Sequence, residues 1–485
     1  MKLIPTINRL KIDLNDKNLR TPTFFLISNL GGGGSDKYRE VVYLDLYKKI
    51  PILYNYFYLK MNPYGFASTW IKNMPQYDNF ADFVNYTRNS MIKDKEYFSS
   101  FHKFKYHNSN DSILLLDSGA SNIINSYLKD IDYKKNKRRF LQLLKKDMFD
   151  YYKFAHRMKF DIVIAFDIGG KYTFKGDERS NKQIISGNLT IKNNAQDINK
   201  YFLIKTLEYL KDKQFHPKIF APVHGNSPTE YARNTKTILE IEKEYNYKFD
   251  GFALGGIASS IGTNINDWGI TSEIKQIIKN INKTDIGSTE IHNAIIASYA
   301  GRIVRNIIGE KRPIHALGAG GKLNIIPLYF SGVNSFDTQT PGRRAYDGNS
   351  LSSKKVYNSN FNGSISKYLI GLLDSNFNLV NNNQSEMNYI KLNKLHNKIE
   401  QCDCPSCLTK SISEIKKLYN NKEESNEDYY YARQLINSHG IWQHVYLSNF
   451  IGSCNNFEEF LYNFKESSEV SDLINYIVNG FNYII

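Results

Sequence analysis

Four polar residues stand at or near the ends of apolar runs, and their types are suited to acid–base chemistry. Asp117 lies in SILLLDSG, Asp167 ends FDIVIAFD, His224 lies in KIFAPVHG and Asp337 ends GVNSFD. Carboxylates and imidazoles are the side chains that most often carry protons in enzymes. One such aspartate is as often a helix cap or a loop former. A set in matching places favours a catalytic site.

A second candidate site is a cluster of three of the chain's four cysteines, Cys402, Cys404 and Cys407, in EQCDCPSCLTK (residues 400–410). Three thiolates on one short loop can wrap a single ion, and zinc prefers four such ligands in a tetrahedron. His439 and His444 are the candidates for the fourth ligand, and we favour His439. A Cys3His set leaves no open coordination position, so the predicted zinc is structural. The remaining cysteine, Cys454, is expected in the core.

Eight short apolar runs alternate with longer helical patterns and would position the four polar residues. Alternation of strand and helix predicts a parallel sheet of the α/β class, because each parallel return needs a crossover. Eight units predict a closed (β/α)8 barrel, and the alternative is an open doubly wound sheet. The barrel is favoured because barrel enzymes gather catalytic groups at the carboxyl ends of many strands. The runs are 21–28, 51–59, 112–119, 160–167, 218–225, 251–257, 313–320 and 332–337, and the clearest helices are 198–213, 227–245 and 289–309.

The composition indicates a large globular chain with an anionic partner. It has 485 residues, of which 41% are hydrophobic, and a formal net charge of +15. A basic excess of this size favours nucleic acid over an acidic membrane or simple solubility. We expect no signal peptide and no membrane span, because no apolar stretch is long enough. Four cysteines do not make a disulfide framework, so a cytoplasmic location is expected.

Three regions follow from the change in composition along the chain. Residues 1–395 are expected to form the barrel, with a polar Asn- and Ser-rich stretch near its end. Residues 396–445 are expected to form a zinc-binding subdomain after the eighth strand. Residues 446–485 are expected to form C-terminal helices that pack on the barrel.

Several short motifs in a fixed order resemble the tRNA-guanine transglycosylase family. They are TPTFFLIS, LLLDSGAS, FDIVIAFD, FAPVHGN, GFALGGIASS, HALGAGG and NSFDTQTPGRR, followed by C-x-C-x-x-C and a histidine. Each motif is weak alone, but the ordered set spans most of residues 20–445. The chain is most similar to the DpdA-like branch, whose members insert a 7-deazaguanine into DNA. The resemblance implies a zinc-bearing barrel that exchanges a nucleobase through a covalent intermediate.

The resemblance also implies a role for each motif residue. Asp337 matches the nucleophile that attacks C1′ of the target nucleoside, and Asp117 matches the general acid and base. Asp167 matches the aspartate that reads the guanine edge. The other implied contacts are base binding by His224, where the family usually has glutamine, close backbone approach to the base at Gly255 and Gly256, and nucleic-acid contact by Arg343 and Arg344.

Two departures from the family pattern concern the substrate. The chain reads GGIASSI where bacterial tRNA enzymes read GGLAVGE, so Ile261 replaces an acidic residue. Because that glutamate accommodates a positively charged substituent, a neutral one is expected, as in 7-cyano-7-deazaguanine. Ser121 or Asn122 also replaces an aromatic residue that stacks on the base, a contact worth about 1–3 kcal/mol.

The sequence favours DNA over tRNA as the substrate, because no archaeal-type C-terminal RNA-binding module is evident and the recognition loops differ from bacterial ones. The other expected partner is the free 7-deazaguanine base, with no membrane. A homodimer is compatible with the resemblance, and a DNA substrate implies an accessory ATPase that opens the duplex. A tRNA enzyme, a non-catalytic nucleic-acid-binding paralogue and a nucleoside hydrolase are the alternatives. The basic run KKNKRR (134–139) is either a solvated helix face or a surface that contacts the nucleic-acid backbone.

Overall fold

A computed structural model gives the fold. It describes residues 5–28, 50–60, 79–80, 82, 112–128, 130–169, 194–257, 265–268, 288–320, 322–338, 410, 414, 417–418, 426–463 and 468–481. Along these ranges no helix is both long enough and apolar enough to cross a membrane.

Eight parallel strands close into a barrel, as the alternation of apolar runs predicts. They are β3 (Thr23–Ser28), β4 (Ile52–Asn55), β5 (Leu114–Asp117), β6 (Ile162–Ile164), β7 (Lys218–Val223), β8 (Gly251–Leu254), β9 (Ile314–Ala316) and β10 (Ser335–Thr338). The strands follow one another around the barrel in chain order, and β10 pairs with β3 to close it. Seven strands lie within one predicted run each, and β10 extends one residue beyond the run 332–337. The closed barrel is therefore confirmed, and the open sheet is excluded.

Helices cover the outside of the barrel. Those among the described residues are α1 (Tyr56–Lys60), α2 (Ala120–Leu128), α3 (Tyr133–Arg157), α4 (Ala195–Leu210), α5 (Pro228–Glu244), α6 (Ser288–Ile308), α7 (Lys322–Phe330), α8 (Asn426–Ser453), α9 (Phe457–Asn463) and α10 (Ser468–Gly480), with a 3₁₀ turn at Ile265–Trp268. The three predicted helices correspond to α4, α5 and α6 within three residues at each end. Ser227 caps α5, since its hydroxyl accepts from the backbone N–H of Glu230. The Glu230 carboxylate reaches back to the N–H of Asn226.

An antiparallel hairpin that the sequence reading did not identify closes the amino-terminal end of the barrel. Its strands are β1 (Lys11–Leu14) and β2 (Lys17–Arg20). Leu14 and Leu19 are buried against apolar side chains of the barrel interior, including Phe25 and Leu115. Lys17 Nζ donates to Asp161 Oδ2 at 3.0 Å and to the Ser112 carbonyl at 2.8 Å. The hairpin is thus fixed to the bottom of β5 and β6 by both apolar and ionic contacts.

The C-terminal helices pack on the outer wall of the barrel. The hydroxyl of Tyr329, in α7, contacts Ser448 of α8 and donates to the Thr23 carbonyl of β3. Phe330 stacks edge-on against Phe457 at 4.9 Å. Helix α8 runs without a break through residue 445, where the sequence predicts a boundary between two regions.

The buried Arg305 of α6 joins the amino-terminal ends of β9 and β10. Its guanidinium donates to the carbonyls of Gly309, Arg312 and Gly332 and to Asn334 Oδ1. Burial lowers the pKa of this guanidinium to about 10, which still leaves it charged at neutral pH. The arginine therefore braces the base of the strand whose other end carries Asp337.

Candidate active site at the mouth of the barrel

The carboxyl ends of the strands form the open end of the barrel, called the mouth here, and it gathers the predicted polar residues. Asp117 is the last residue of β5, Asp167 follows β6, His224 follows β7 and Asp337 lies in β10. Asp167, His224 and Asp337 are buried, and Asp117 is half-buried. The negative charges of Asp167 and Asp337 act on Asp117. Three carboxylates thus share one small region, where they can divide proton transfer and nucleophilic attack between them.

Asp117 has the properties of a group that exchanges a proton near neutral pH. Burial raises its pKa to about 7, and repulsion from Asp167 and Asp337 adds to this, while backbone N–H groups at Gly119 and Ser118 oppose it. Asn55 Nδ2 donates to Asp117 Oδ2 at 2.8 Å, and the Gly119 N–H donates to the same oxygen at 3.3 Å. These donors stabilise the ionised form, and burial together with the neighbouring carboxylates outweighs them.

Asp337 is held on one oxygen by two donors. The Gly318 N–H donates to Oδ1 at 3.1 Å, and His315 Nε2 lies 3.1 Å from the same oxygen. No hydrogen bond to Oδ2 occurs within the described ranges. One carboxylate oxygen is therefore anchored, and the other is available for reaction.

Asp167 and His224 form a buried pair across β6 and β7. His224 Nε2 lies 2.5 Å from Asp167 Oδ2, which also accepts from the Gly169 N–H at 3.1 Å. The Ser118 hydroxyl donates to Asp167 Oδ1 at 3.4 Å. Because these contacts fix the carboxylate plane, Asp167 presents a defined acceptor edge. His224 Nδ1 is buried, and none of the residues that the structure describes forms a hydrogen bond with it.

Gly255 is required by the His224 ring. A Cβ at position 255 would overlap the imidazole, and the Gly255 N–H is already bonded to the Val223 carbonyl. Gly256 has φ +74°, a conformation that glycine adopts readily. The two glycines therefore let β8 approach β7 closely beside the Asp167–His224 pair.

Buried tyrosines and one asparagine hold the strand ends that carry the site. The Tyr151 hydroxyl lies within hydrogen-bond distance of the Leu116 and Ile164 carbonyls, next to Asp117 and the end of β6. The Tyr152 hydroxyl accepts from the Phe166 N–H. Asn199 of α4 accepts from the Ile168 N–H at 2.8 Å. These contacts fix the backbone on both sides of Asp167.

Several predicted residues lie outside the described ranges, namely Arg343, Arg344, Cys402, Cys404, Cys407 and Ile261. The His439 backbone belongs to α8, but its side chain is not described. The His444 ring packs on Phe24 at 5.2 Å, and its Nδ1 contacts the Gly440 carbonyl. Cys454 is buried, and its thiol contacts the Phe450 carbonyl. The zinc site stays a prediction.

Three residues of the mouth were missed by the sequence reading: Asn55, Ser118 and His315. Asn55 is the last residue of β4 and the direct neighbour of Asp117 in the β4–β5 register. It lies inside the apolar run 51–59, so the sequence does not mark it as a strand end. His315 sits inside an apolar run, where a lone histidine usually belongs to the core.

Comparison with known proteins gives one distant match. No family model matches the chain. A queuine tRNA-ribosyltransferase of Chlamydia pneumoniae is 26% identical to it over 148 residues, which is 30% of either protein. The aligned part thus spans less than a third of that relative. The similarity supports a distant relationship to tRNA-guanine transglycosylases at the level of the family.

Proposed function

We propose that the chain is a base-exchange transglycosylase that replaces guanine in a nucleic acid with a 7-deazaguanine. The observation that carries the proposal is the division of labour among the carboxylates. Asp117 has a pKa of about 7, whereas Asp337 is held by two donors on one oxygen. A proton donor and a nucleophile on opposite sides of a glycosidic bond are what a retaining displacement requires.

In the first step, Asp337 attacks C1′ from the face opposite the base. The Oδ2–C1′ bond forms as the C1′–N9 bond breaks through an oxocarbenium-like state, and the electron pair leaves on guanine. Asp117 supplies the proton that the departing base takes up. Since burial raises the pKa of Asp117 to about 7, a large fraction of the enzyme is in the acid form at neutral pH.

In the second step, a free 7-deazaguanine occupies the vacated place. Asp117, now a carboxylate, removes the proton from N9 of the incoming base, and N9 attacks C1′. The Asp337–C1′ ester bond breaks and returns the electron pair to the Asp337 carboxylate. One residue serves as acid and then as base, which a pKa near working pH allows.

Base selection is assigned to Asp167 and the elements beside it. A carboxylate accepts hydrogen bonds from N1–H and the exocyclic amine of guanine, and adenine lacks this pair of donors. His224 orients Asp167 through the contact at 2.5 Å, and Gly255 makes room for the imidazole. A neutral 7-substituent such as the nitrile of 7-cyano-7-deazaguanine agrees with Ile261 in place of an acidic residue.

The polyanionic substrate is assigned from charge. The chain carries a net charge of +15. Lys134–Arg139, at the start of α3, are all exposed, and Arg343 and Arg344 follow β10. DNA is the substrate that the sequence departures favour, and its target guanine must be flipped out of the duplex. The match to a queuine tRNA-ribosyltransferase favours tRNA as the second candidate.

A structural zinc is part of the proposal. Cys402, Cys404, Cys407 and His439 would together provide three thiolates and one imidazole, a donor set that suits zinc. Bound there, the ion holds a fold and supplies no reacting group.

The test is incorporation of labelled guanine, offered separately with DNA and with tRNA, together with trapping of a covalent protein–nucleic acid adduct. We expect incorporation into one nucleic acid and an adduct that is absent in Asp337→Ala. Undiminished exchange in that variant contradicts the mechanism. Tight, salt-sensitive binding without incorporation identifies a non-catalytic paralogue. Release of guanine over many turnovers without any incoming base identifies a hydrolase, since the proposed mechanism releases only one equivalent per enzyme before the ester must be displaced.

A further inference from the structure

We propose that His315 is the positioning residue of the nucleophile: it anchors Oδ1 of Asp337 and leaves Oδ2 as the attacking oxygen. This inference rests on the proposed function. It concerns a residue that the motif reading did not assign, and it specifies which atom of Asp337 reacts.

The His315 ring is fully buried in the barrel and contacts two side chains of the neighbouring strand. Its Nδ1 lies 2.9 Å from Ser335 Oγ and its Nε2 lies 3.1 Å from Asp337 Oδ1. In the β9–β10 register, His315 stands directly opposite Ser335. The ring therefore bridges two residues that are two positions apart in β10 and lie on the same face of the strand.

The chemistry of the partners fixes the direction of these hydrogen bonds. An ionised carboxylate only accepts, so a neutral imidazole must present its N–H at Nε2 to Asp337. Nδ1 is then an acceptor, and the Ser335 hydroxyl must donate to it. The opposite tautomer would aim a nitrogen lone pair at the carboxylate. Asp337 thus selects the tautomer, and the Ser335 hydroxyl, which can donate or accept, adapts to it as the donor to Nδ1.

A buried histidine at this place is costly unless both nitrogens are partnered. The surrounding barrel interior is apolar, and the Phe25 ring meets the imidazole edge-on at 5.2 Å. Burying an unpaired polar group is unfavourable, and an apolar side chain at this position would avoid that cost. Both partners of the ring flank the reactive position in β10. This arrangement serves the carboxylate better than it serves packing alone.

The anchored oxygen has a role in both half-reactions. Oδ1 accepts from His315 and from the Gly318 N–H, so the carboxylate cannot turn about its Cβ–Cγ bond without losing both. Oδ2 then forms the bond to C1′ while the C1′–N9 electron pair leaves on guanine. In the ester, Oδ1 is the carbonyl oxygen and keeps its donors. When the ester is displaced, the returning negative charge is stabilised by the same two hydrogen bonds, which makes Asp337 a better leaving group.

The experiment compares His315→Leu, His315→Gln and Tyr329→Phe in the full chain. Leucine removes the donor, whereas glutamine keeps an N–H near the place of Nε2. Tyr329→Phe removes a buried hydroxyl on the outer wall and controls for general destabilisation. Rates of adduct formation, kcat, KM and the melting temperature are measured for each.

We expect His315→Leu to lower kcat and the rate of adduct formation by about 10²-fold, the usual effect of losing one preorganised donor. KM for both substrates should stay within about threefold of the wild-type value. His315→Gln should recover at least about tenfold of the loss, and Tyr329→Phe should lower only the melting temperature. Equal rates for Leu and Gln, or a loss confined to melting temperature, overturn the inference. If Asp337→Ala retains exchange, the proposed function fails instead.

Discussion

Replacing Asn55 by leucine should move the pH dependence of guanine displacement toward alkaline pH. Asn55 donates to Asp117 Oδ2 at 2.8 Å from the adjacent strand. A donor to a carboxylate stabilises its ionised form, so removing the donor raises the pKa of Asp117 above its wild-type value of about 7. Leucine has a similar volume and offers no hydrogen bond.

The size of the effect follows from the strength of the lost contact. A hydrogen bond to a charged group contributes about 1.5–3 kcal/mol, and one pKa unit corresponds to about 1.36 kcal/mol. We expect a shift of about one unit, because the Gly119 N–H and solvent take up part of the loss. Asp117 acts as an acid only while it is protonated. At about pH 8, the protonated fraction therefore rises from about one tenth to about one half, or roughly fivefold.

The assay is single-turnover release of labelled guanine from the bound nucleic acid, measured from about pH 6 to about pH 9. The wild-type rate should fall as pH rises through about 7, and the Asn55→Leu rate should fall about one unit later. Asp117→Asn should remove this dependence together with most of the rate. Thr235→Val, which deletes a buried hydroxyl bonded to the Tyr231 carbonyl, is the control. An unchanged or acid-shifted profile for Asn55→Leu would refute the assignment of Asp117 as the acid.

Three further predictions concern the base pocket, the hairpin and the zinc site. Gly255→Ala should displace the His224 ring, because the new Cβ overlaps it, and should raise KM for the free base at least about tenfold. Gly309→Ala is the control, because a Cβ at position 309 meets no neighbour, and it should leave that KM unchanged. Lys17→Met should lower the free energy of unfolding by about 3 kcal/mol in chemical denaturation, because the Asp161 side chain is 1% exposed and loses its cation. Lys11→Met, which breaks an exposed pair, should change it by less than about 1 kcal/mol, and an equal effect of both would contradict the buried-pair argument. Cys404→Ser should lower the zinc content, measured by elemental mass spectrometry, while Cys454→Ser should not. Equal metal content in both variants would contradict the assignment of the cysteine loop as the zinc site.

The strands and the carboxylates were predictable because parallel strands are buried on both faces. Such strands give continuous apolar runs, and a polar residue at the end of a run is conspicuous. Asp117, Asp167 and Asp337 were found in this way, and all lie at the mouth. The order of the runs also predicts the order of the strands, because each crossover returns to the neighbouring position.

The partners of these residues were not predictable, because they depend on register and on contacts distant in the sequence. The Asp167–His224 pair joins residues 57 positions apart, and nothing in either motif shows that one orients the other. His315 resembles an ordinary core histidine until the β9–β10 register places it beside Asp337. The hairpin turn contains Asn15, whose φ of +52° is a conformation that asparagine tolerates in turns. The position of the hairpin against the barrel, however, depends on the closed barrel and is not encoded in this turn.

The hairpin beneath the barrel has a consequence for the order in which the two bases leave and enter. Leu14 and Leu19 close the lower end, and the barrel interior above them is filled by side chains. Under the proposed mechanism, guanine leaves through the mouth, its replacement enters there too, and the nucleic acid is held at the same place by the ester. The two bases must use the opening in turn. Guanine should thus compete with the incoming base for the ester form of the enzyme, and the steady-state kinetics should be those of a double displacement.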